Sequence, residues 1–287
     1  MILAERLGME IVSVDAMQVY RGMDVGTAKP TPADRARVPH HMIDVAEPEE
    51  AYSVARFQRE GRASLSDIAG RRGRALVVGG SGLHLRALVD PLEFPPTDEE
   101  VRARLEALPP SEARHRLLLV DPEAGELVDL DNPRRVVRAL EIHELTGSTP
   151  AARFATVGAE AVRERRPLLP VTILGIDPGH RLGRRVESRF QAMLQAGLVE
   201  EVRALTSRLG PTAAQAVGYR QLVGVVQGEV TLDDGVARAL SATRALAKRQ
   251  RTFFRRDHRV EWLEWDDDPS VVAASAVRRL EEAGWSS

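Results

Sequence analysis

The chain has 287 residues, 43% hydrophobic and 29% charged, the balance of an ordinary globular protein with enough length for one large domain or two smaller ones. It has no cysteine, which excludes a disulfide framework or a thiolate metal site, and no apolar run near the roughly 20 residues of a membrane-spanning helix. A formal net charge of −2 excludes capture of nucleic acid by the overall field, so any such contact must come from local basic patches.

Met1 to Leu7 reads as the last turns of an amphipathic helix stopped by Gly8. Glu10 to Val14 is a short β-branched run of the kind that forms a buried parallel strand, and Asp15 follows it directly. Ligands of open α/β sheets sit beyond the carboxyl ends of the strands, so Asp15 is either a turn cap or a group placed for chemistry. Residues 23–30 lead through Gly-Thr-Ala-Lys-Pro into a polar loop ending in His40, His41 and Asp44. The two adjacent histidines diverge and lack a second ligand pair, which favours a structural role over a metal site. Residues 53–68 carry helical spacing, with Val54, Phe57, Leu65 and Ile68 inward. Ala75 to Val78 is predicted as a second buried strand. It runs through Gly79-Gly80-Ser81-Gly82 into an apolar helix, a backbone geometry suited to an anion but a common turn in its own right.

Pro91 to Thr97 is a proline-rich break and the expected domain boundary. From Asp98 to about Arg166 the pattern is almost wholly helical. Asn132 and Pro133 open a helix on which Arg134, Arg135 and Arg138 gather near one end; their alternatives are an RNA contact or a solvated face paired with Glu141. Val171 to Ile176 is predicted to resume the sheet, and one long helix is predicted from Arg181 to Leu205. Gln215-Ala216-Val217-Gly218-Tyr219-Arg220 offers a close backbone approach, a stacking face and a phosphate partner, or else a plain helix boundary. Residues 236–256 form a further helix with a basic stripe of Arg244, Lys248, Arg251 and Arg255, read as lacking counter-charges and so suited to a phosphate backbone; Phe253 and Phe254 read as core packers. A last strand in VEWLEW and a helix over 269–284 close the chain.

The string SVDAMQVYRGMDVGTAKP resembles the signature of the tRNA dimethylallyltransferases, and the blocks around GGSG, DNPRRVVRAL, QAVGYR and KRQ resemble later signatures of that family in the same order. The resemblance implies an α/β core with a P-loop NTPase-like parallel sheet, over 1–96 and 168–287, and an inserted all-helical tRNA-binding domain over 97–167. It implies transfer of a dimethylallyl group from dimethylallyl diphosphate to N6 of the adenosine 3′-adjacent to the anticodon, with Mg²⁺, in a cytoplasmic monomer that binds the tRNA anticodon stem-loop and no membrane.

Asp15, Ser81 and Arg102 are the catalytic residues the resemblance implies, with Asp15 as proton acceptor and Ser81 near the reacting diphosphate or adenosine. Ala16, Met17 and Gln18 join Asp15 in the adenosine pocket. Contacts to tRNA and substrate are implied for Arg134, Arg135, Val136, Val137 and Arg138, for residues Gln215, Ala216, Val217, Gly218, Tyr219 and Arg220, and for Lys248, Arg249, Gln250, Arg251, Thr252, Phe253, Phe254 and Arg255.

The family's phosphate loop, G-x-x-x-x-G-K-[ST], precedes the first helix and is not in this sequence, where Lys29 and Lys248 each follow alanine. A start further upstream or a truncated chain is the expectation. A tRNA-binding protein without catalysis, and a prenyltransferase of free adenine nucleotides, are the alternatives.

Overall fold

A computed structural model describes residues 1–285. The chain divides into two compact units, one made of Met1–Leu88 with the chain from Val171 onward, the other of Val89–Pro170.

In the first unit, α1 (Ile2–Leu7) stops at Gly8, whose φ of 59° is the left-handed cap a glycine supplies. It leads into β1 (Glu10–Ser13), buried except at its first residue. The expected polar loop after Pro30 is instead α2 (Pro32–Arg37) followed by β2 (His40–His41). Thr31 and Asp34 cap each other's backbone, a reciprocal N-terminal box strong enough to start a six-residue helix. Next come α3 (Val54–Gly70), β3 (Ala75–Val78) and α4 (Gly82–Val89). The strands make a parallel sheet in the order β2-β1-β3.

In the second unit, α5 (Glu99–Glu106), α6 (Pro110–Val120), α7 (Ala124–Leu127), α8 (Pro133–Thr146), α9 (Pro150–Phe154) and α10 (Val157–Arg163) pack with no strand among them. Leu105, Ala113, Leu117, Val136 and Leu140 form their core. Apolar residues recur at helical spacing, so each helix buries one stripe.

The first unit resumes with β4 (Ile173–Ile176), α11 (Leu182–Gln195), α12 (Leu198–Leu205), α13 (Tyr219–Val226), α14 (Leu232–Arg255), β5 (Val260–Leu263) and α15 (Pro269–Glu282). Two expectations fail here. The long helix over 181–205 is broken at Gly197, whose φ of 94° cannot continue a right-handed helix. Nor does the first sheet resume: among the described residues β4 pairs with β5 alone, in a separate parallel sheet. Both sheets nonetheless feed one apolar cluster, with Leu76 of β3 and Leu174 of β4 packed on Ala4, Leu7, Ile11 and Leu280. Each of these two strands keeps an unpaired edge. Val78 and Ile176, expected to be buried, are 45% and 52% exposed.

No helix among the described residues is long and apolar enough to cross a membrane.

Candidate active site

Asp15 stands just beyond the end of β1. The Met17 N–H donates to its Oδ1 at 2.8 Å and the Gln18 N–H at 3.3 Å, which folds Asp15 to Gln18 into a tight turn. The other carboxylate oxygen has no hydrogen-bond partner among the described residues. One oxygen thus caps the turn, as one of the two alternatives for Asp15 expects, while the second oxygen is left unused by that turn.

Gln18 is fixed from both sides. Its Oε1 accepts from the Ser13 hydroxyl at 2.9 Å, and its amide nitrogen donates to the Thr27 carbonyl at 3.1 Å and the Ala28 carbonyl at 3.4 Å. Those carbonyls belong to a loop that is itself held. The N–H groups of Asp24 and Val25 donate to Glu201 Oε2 at 2.9 and 2.8 Å, and that of Gly26 donates to Oε1 at 2.9 Å. The Tyr219 hydroxyl donates to the same Oε1. A side chain at residue 26 would meet the Tyr219 ring at 2.5 Å, so only glycine lets the loop come this close. Lys29, its side chain 2% exposed, donates to Asp24 at 2.7 Å and Asp44 at 2.6 Å and closes the loop at its far end.

This packing corrects one reading of Tyr219. It is fully buried and offers no face to a base. Burial first, and the Glu201 carboxylate second, push its phenol far above the ordinary value, so it remains a donor. Ala216 and Gly218 are buried beside it, while Gln215 and Arg220 are exposed. His41 bonds Glu10 at 2.7 Å and Asp44 bonds Lys29 and Arg35, which disperses the His40-His41-Asp44 group into separate contacts. No cluster of three or more metal-ligating side chains exists among the described residues.

The loop after β3 lies beside the end of β1: the Val14 N–H donates to the Val78 carbonyl at 2.8 Å. Ser81 in this loop bonds His84 of α4, Oγ to Nδ1, at 2.6 Å. His84 is 8% exposed, with the Phe57 ring edge-on at 4.5 Å. Burial pushes its imidazole below the ordinary histidine value, against the pull of the Asp15 charge. From α14, Phe253 lies 2.1 Å from where a Gly82 side chain would start and Gln250 lies 2.5 Å from the same point at Gly80, so both pack over the glycine loop. Phe253 and Phe254, both half-buried, meet edge to face at 5.5 Å.

The basic stripe of α14 is not without counter-charges. Asp177 takes Arg251 at 2.9 Å and Arg255 at 3.1 Å, and Glu187 takes Arg244. Burial raises the Asp177 carboxyl, but the Gly179 N–H and the two arginines outweigh it and hold the group below its ordinary value. Lys248 and Arg249 are exposed and make no ion pair among the described residues; Thr252 bonds back to the Lys248 carbonyl.

In the helical unit, Glu141 is fully buried and organises the arginines. Arg102 reaches both of its oxygens at 3.1 and 3.0 Å, Arg138 reaches Oε2 at 2.6 Å, and the Asp98 N–H donates at 3.0 Å. Arg138 also donates to the carbonyls of Pro95 and Pro96. Val136 and Val137 are 2% and 7% exposed and belong to the helical core, which removes them from any RNA surface. Arg135 pairs with Asp129 at 3.3 Å, and Arg134 is exposed with no ion pair among the described residues.

Sequence reasoning passed over His84, Glu201 and Asp177. The first had a signal, a Ser-x-x-His spacing at a helix start that brings the side chains onto one face. The other two act across long sequence separations and had none.

Comparison with known proteins follows the same outline. The family model described as IPP transferase matches residues 18–257. A tRNA dimethylallyltransferase of Corynebacterium efficiens is 41% identical over 286 residues, covering 96% of this chain and 93% of that relative. Another, from Kocuria rhizophila, is 46% identical, covering 96% of this chain and 88% of the relative. Among solved structures, the tRNA isopentenylpyrophosphate transferase of Bacillus halodurans is 33% identical with a TM-score of 0.68, covering 98% of this chain and 91% of that one. A eukaryotic dimethylallyltransferase acting on tRNA, at 24% identity and a TM-score of 0.77 over 98% of this chain and 75% of its own, bears on the fold alone. This mixed α/β chain with an inserted helical unit belongs to the IPP transferase family.

Proposed function

We propose that the chain is a tRNA dimethylallyltransferase that alkylates N6 of the adenosine 3′-adjacent to the anticodon. The observation that carries this reading is Asp15: rigid at the end of a parallel strand, one oxygen spent on its own turn and the other available, beside the glycine loop of β3.

The exocyclic nitrogen is a poor nucleophile, because its lone pair is shared with the purine ring. As it bonds to the terminal carbon of the dimethylallyl group, the carbon–oxygen bond to diphosphate breaks and one amine proton must leave. Asp15 takes that proton through its available oxygen. Gln18, held by Ser13 and by the loop on Glu201, shapes the wall beside it together with Ala16 and Met17.

Arg102, oriented by Glu141 and with 41% of its side chain exposed, is a directed cation of the helical unit suited to a phosphate group. Arg134, Arg220, Lys248 and Arg249 remain as exposed cations for the RNA backbone. Mg²⁺ would stabilise charge on the departing diphosphate. This ion ordinarily takes one or two carboxylates together with substrate phosphate oxygens and water, so it does not require a cluster of three or more protein ligands, and the described residues contain none.

The test is to incubate the protein with an anticodon stem-loop RNA and dimethylallyl diphosphate, then digest the RNA and weigh its nucleosides. The expected result is a gain of one C5H8 unit on the target adenosine. Transfer to free adenine nucleotides but not to RNA, or to neither, would overturn the reading.

A further inference from the structure

The Ser81–His84 pair lies outside the roles derived so far. A serine directly before a helix ordinarily turns its oxygen to a backbone N–H of the first turn. Here Ser81 Oγ lies 2.6 Å from His84 Nδ1. That bond needs one proton, and which atom owns it decides what Ser81 shows to a substrate.

If Nδ1 carries the proton, Ser81 keeps its own hydrogen to offer outward. If Nδ1 is a bare acceptor, the serine hydrogen is consumed and Oγ presents lone pairs only. Nδ1 can hold a proton in a charged ring or in the neutral Nδ1–H tautomer, and the surroundings oppose the charged ring. Of the two neutral tautomers, Nε2–H is the one that makes Ser81 an acceptor. The ring is 8% exposed and Phe57 stands against it, so a charged imidazole would be poorly solvated. Burial depresses the imidazole accordingly, while Asp15 alone pulls the other way.

An oxygen offering only lone pairs repels a diphosphate oxygen and attracts an N–H. The Ser81 loop and Asp15 both leave the carboxyl ends of neighbouring parallel strands, β3 and β1. The two groups thus present two acceptors on one side of the sheet. An exocyclic amine carries two hydrogens.

We propose that His84 is a positioning residue that fixes Ser81 Oγ as a hydrogen-bond acceptor for the substrate amine, so that Ser81 holds one N–H while Asp15 takes the other. This rests on the adenosine reading above and assigns Ser81 to the acceptor base, not to the diphosphate.

The first test is binding, which needs no turnover. Two anticodon stem-loop RNAs are compared by fluorescence anisotropy, one with adenosine at the target position and one with purine riboside, which lacks the amine. The unaltered protein is expected to prefer adenosine by about tenfold, the scale of one hydrogen bond. His84→Phe keeps a ring against Phe57 but removes the acceptor, and Ser81→Ala removes the hydroxyl; both are expected to bind the two RNAs equally. His84→Asn restores an acceptor oxygen near the place of Nδ1 and should recover most of the preference. The ratio of the two affinities is insensitive to the fraction of protein folded, so partial unfolding does not imitate the effect.

A His84→Phe variant with the full preference, or an unaltered protein with none, overturns the proposal and leaves the adenosine reading standing. Failure to bind either RNA overturns both. Long-range ¹H–¹⁵N spectra of the free protein add a check without RNA: His84 is expected as the Nε2–H tautomer, and a proton on Nδ1 overturns the proposal.

Discussion

Each unit holds a glutamate at the centre of a hydrogen-bond cluster, and the two are satisfied in opposite ways. Glu201 accepts from three successive backbone N–H groups and a tyrosine hydroxyl, all neutral donors. Glu141, with no exposed side-chain surface, accepts from two arginines and one backbone N–H. The difference follows from burial. A carboxylate fully removed from water requires a cation nearby, whereas a half-buried one is served by aligned dipoles and residual solvent. The outcome differs too: Glu201 gives a loop its shape, and Glu141 gives two cations their direction.

The largest effect should come from breaking the charged cluster. Glu141→Leu removes the hydrogen bonds of Arg102, Arg138 and the Asp98 N–H, and with the two arginines able to turn partly to water the change is expected to cost about 2–4 kcal/mol. The loss should fall on the helical unit. Hydrogen exchange is expected to accelerate over 99–106 and 133–146 and to stay unchanged over 10–13, and uniform acceleration would contradict the division of labour.

Acid should act on the same cluster. Burial raises the Glu141 carboxyl, but Arg138, the Asp98 N–H and Arg102 together hold it below its ordinary value of 4.5. A depressed carboxyl stabilises the fold fully above its unfolded value, and that contribution is lost as pH falls through the folded one. The melting temperature of the helical unit should therefore be flat above 4.5 and decline below it. Glu141→Gln should weaken this decline.

Next in size is Asp15→Asn. Asparagine keeps an oxygen for the Met17 N–H at 2.8 Å, so the turn survives while the proton acceptor is lost. Turnover should drop about 10²-fold with RNA affinity unchanged. An equal fall in affinity would move Asp15 from chemistry to binding.

A smaller change is expected at the neutral clamp. Glu201→Gln retains one oxygen for the N–H groups of Asp24 and Val25. Its amide then faces the Gly26 N–H, a clash of donors costing about 1–3 kcal/mol. The loop over 23–28 should become sensitive to protease, and turnover should fall about tenfold through Gln18. Stability of the helical unit should not change. If it does, the two clusters are coupled.

The contrast also separates what the sequence reveals from what it conceals. β1, β3 and the ends of α1 and α8 are legible because their signals are local: β-branched runs, a stopping glycine, an asparagine cap before proline. Thr31 to Asp34 carries a local signal as well, a threonine and an aspartate three residues apart around Pro32 that form a capping box. The separation of β4–β5 from the first sheet is not legible, since strand order is a property of tertiary contacts. The same holds for the Asp177 and Glu201 clusters. Arg251 and Arg255 find a counter-ion more than seventy residues away, so their stripe on α14 looks unpaired in sequence alone. Tyr219 is the sharpest case, because a ring beside glycine and arginine suggests stacking until Gly26 and Glu201 are seen to enclose it.

The smallest prediction tests whether the clamp is a matter of position or of stability alone. Gly197 starts α12 with φ at 94°, and its carbonyl accepts the Glu201 N–H at 2.9 Å. The residue therefore sets where the clamping helix begins. Its Cβ position is nearly open, with only Glu200 at 3.7 Å, so a substitution there meets backbone strain and little steric conflict. Gly197→Ala should cost about 1–2 kcal/mol, the usual penalty of a left-handed residue, and Gly197→Asn should cost less because asparagine tolerates that region. If the clamp works by position, turnover should fall in the same order as the strain, alanine below asparagine below glycine. Turnover that stays constant while the melting temperature follows that order would make Glu201 a structural support with no share in placing Gln18.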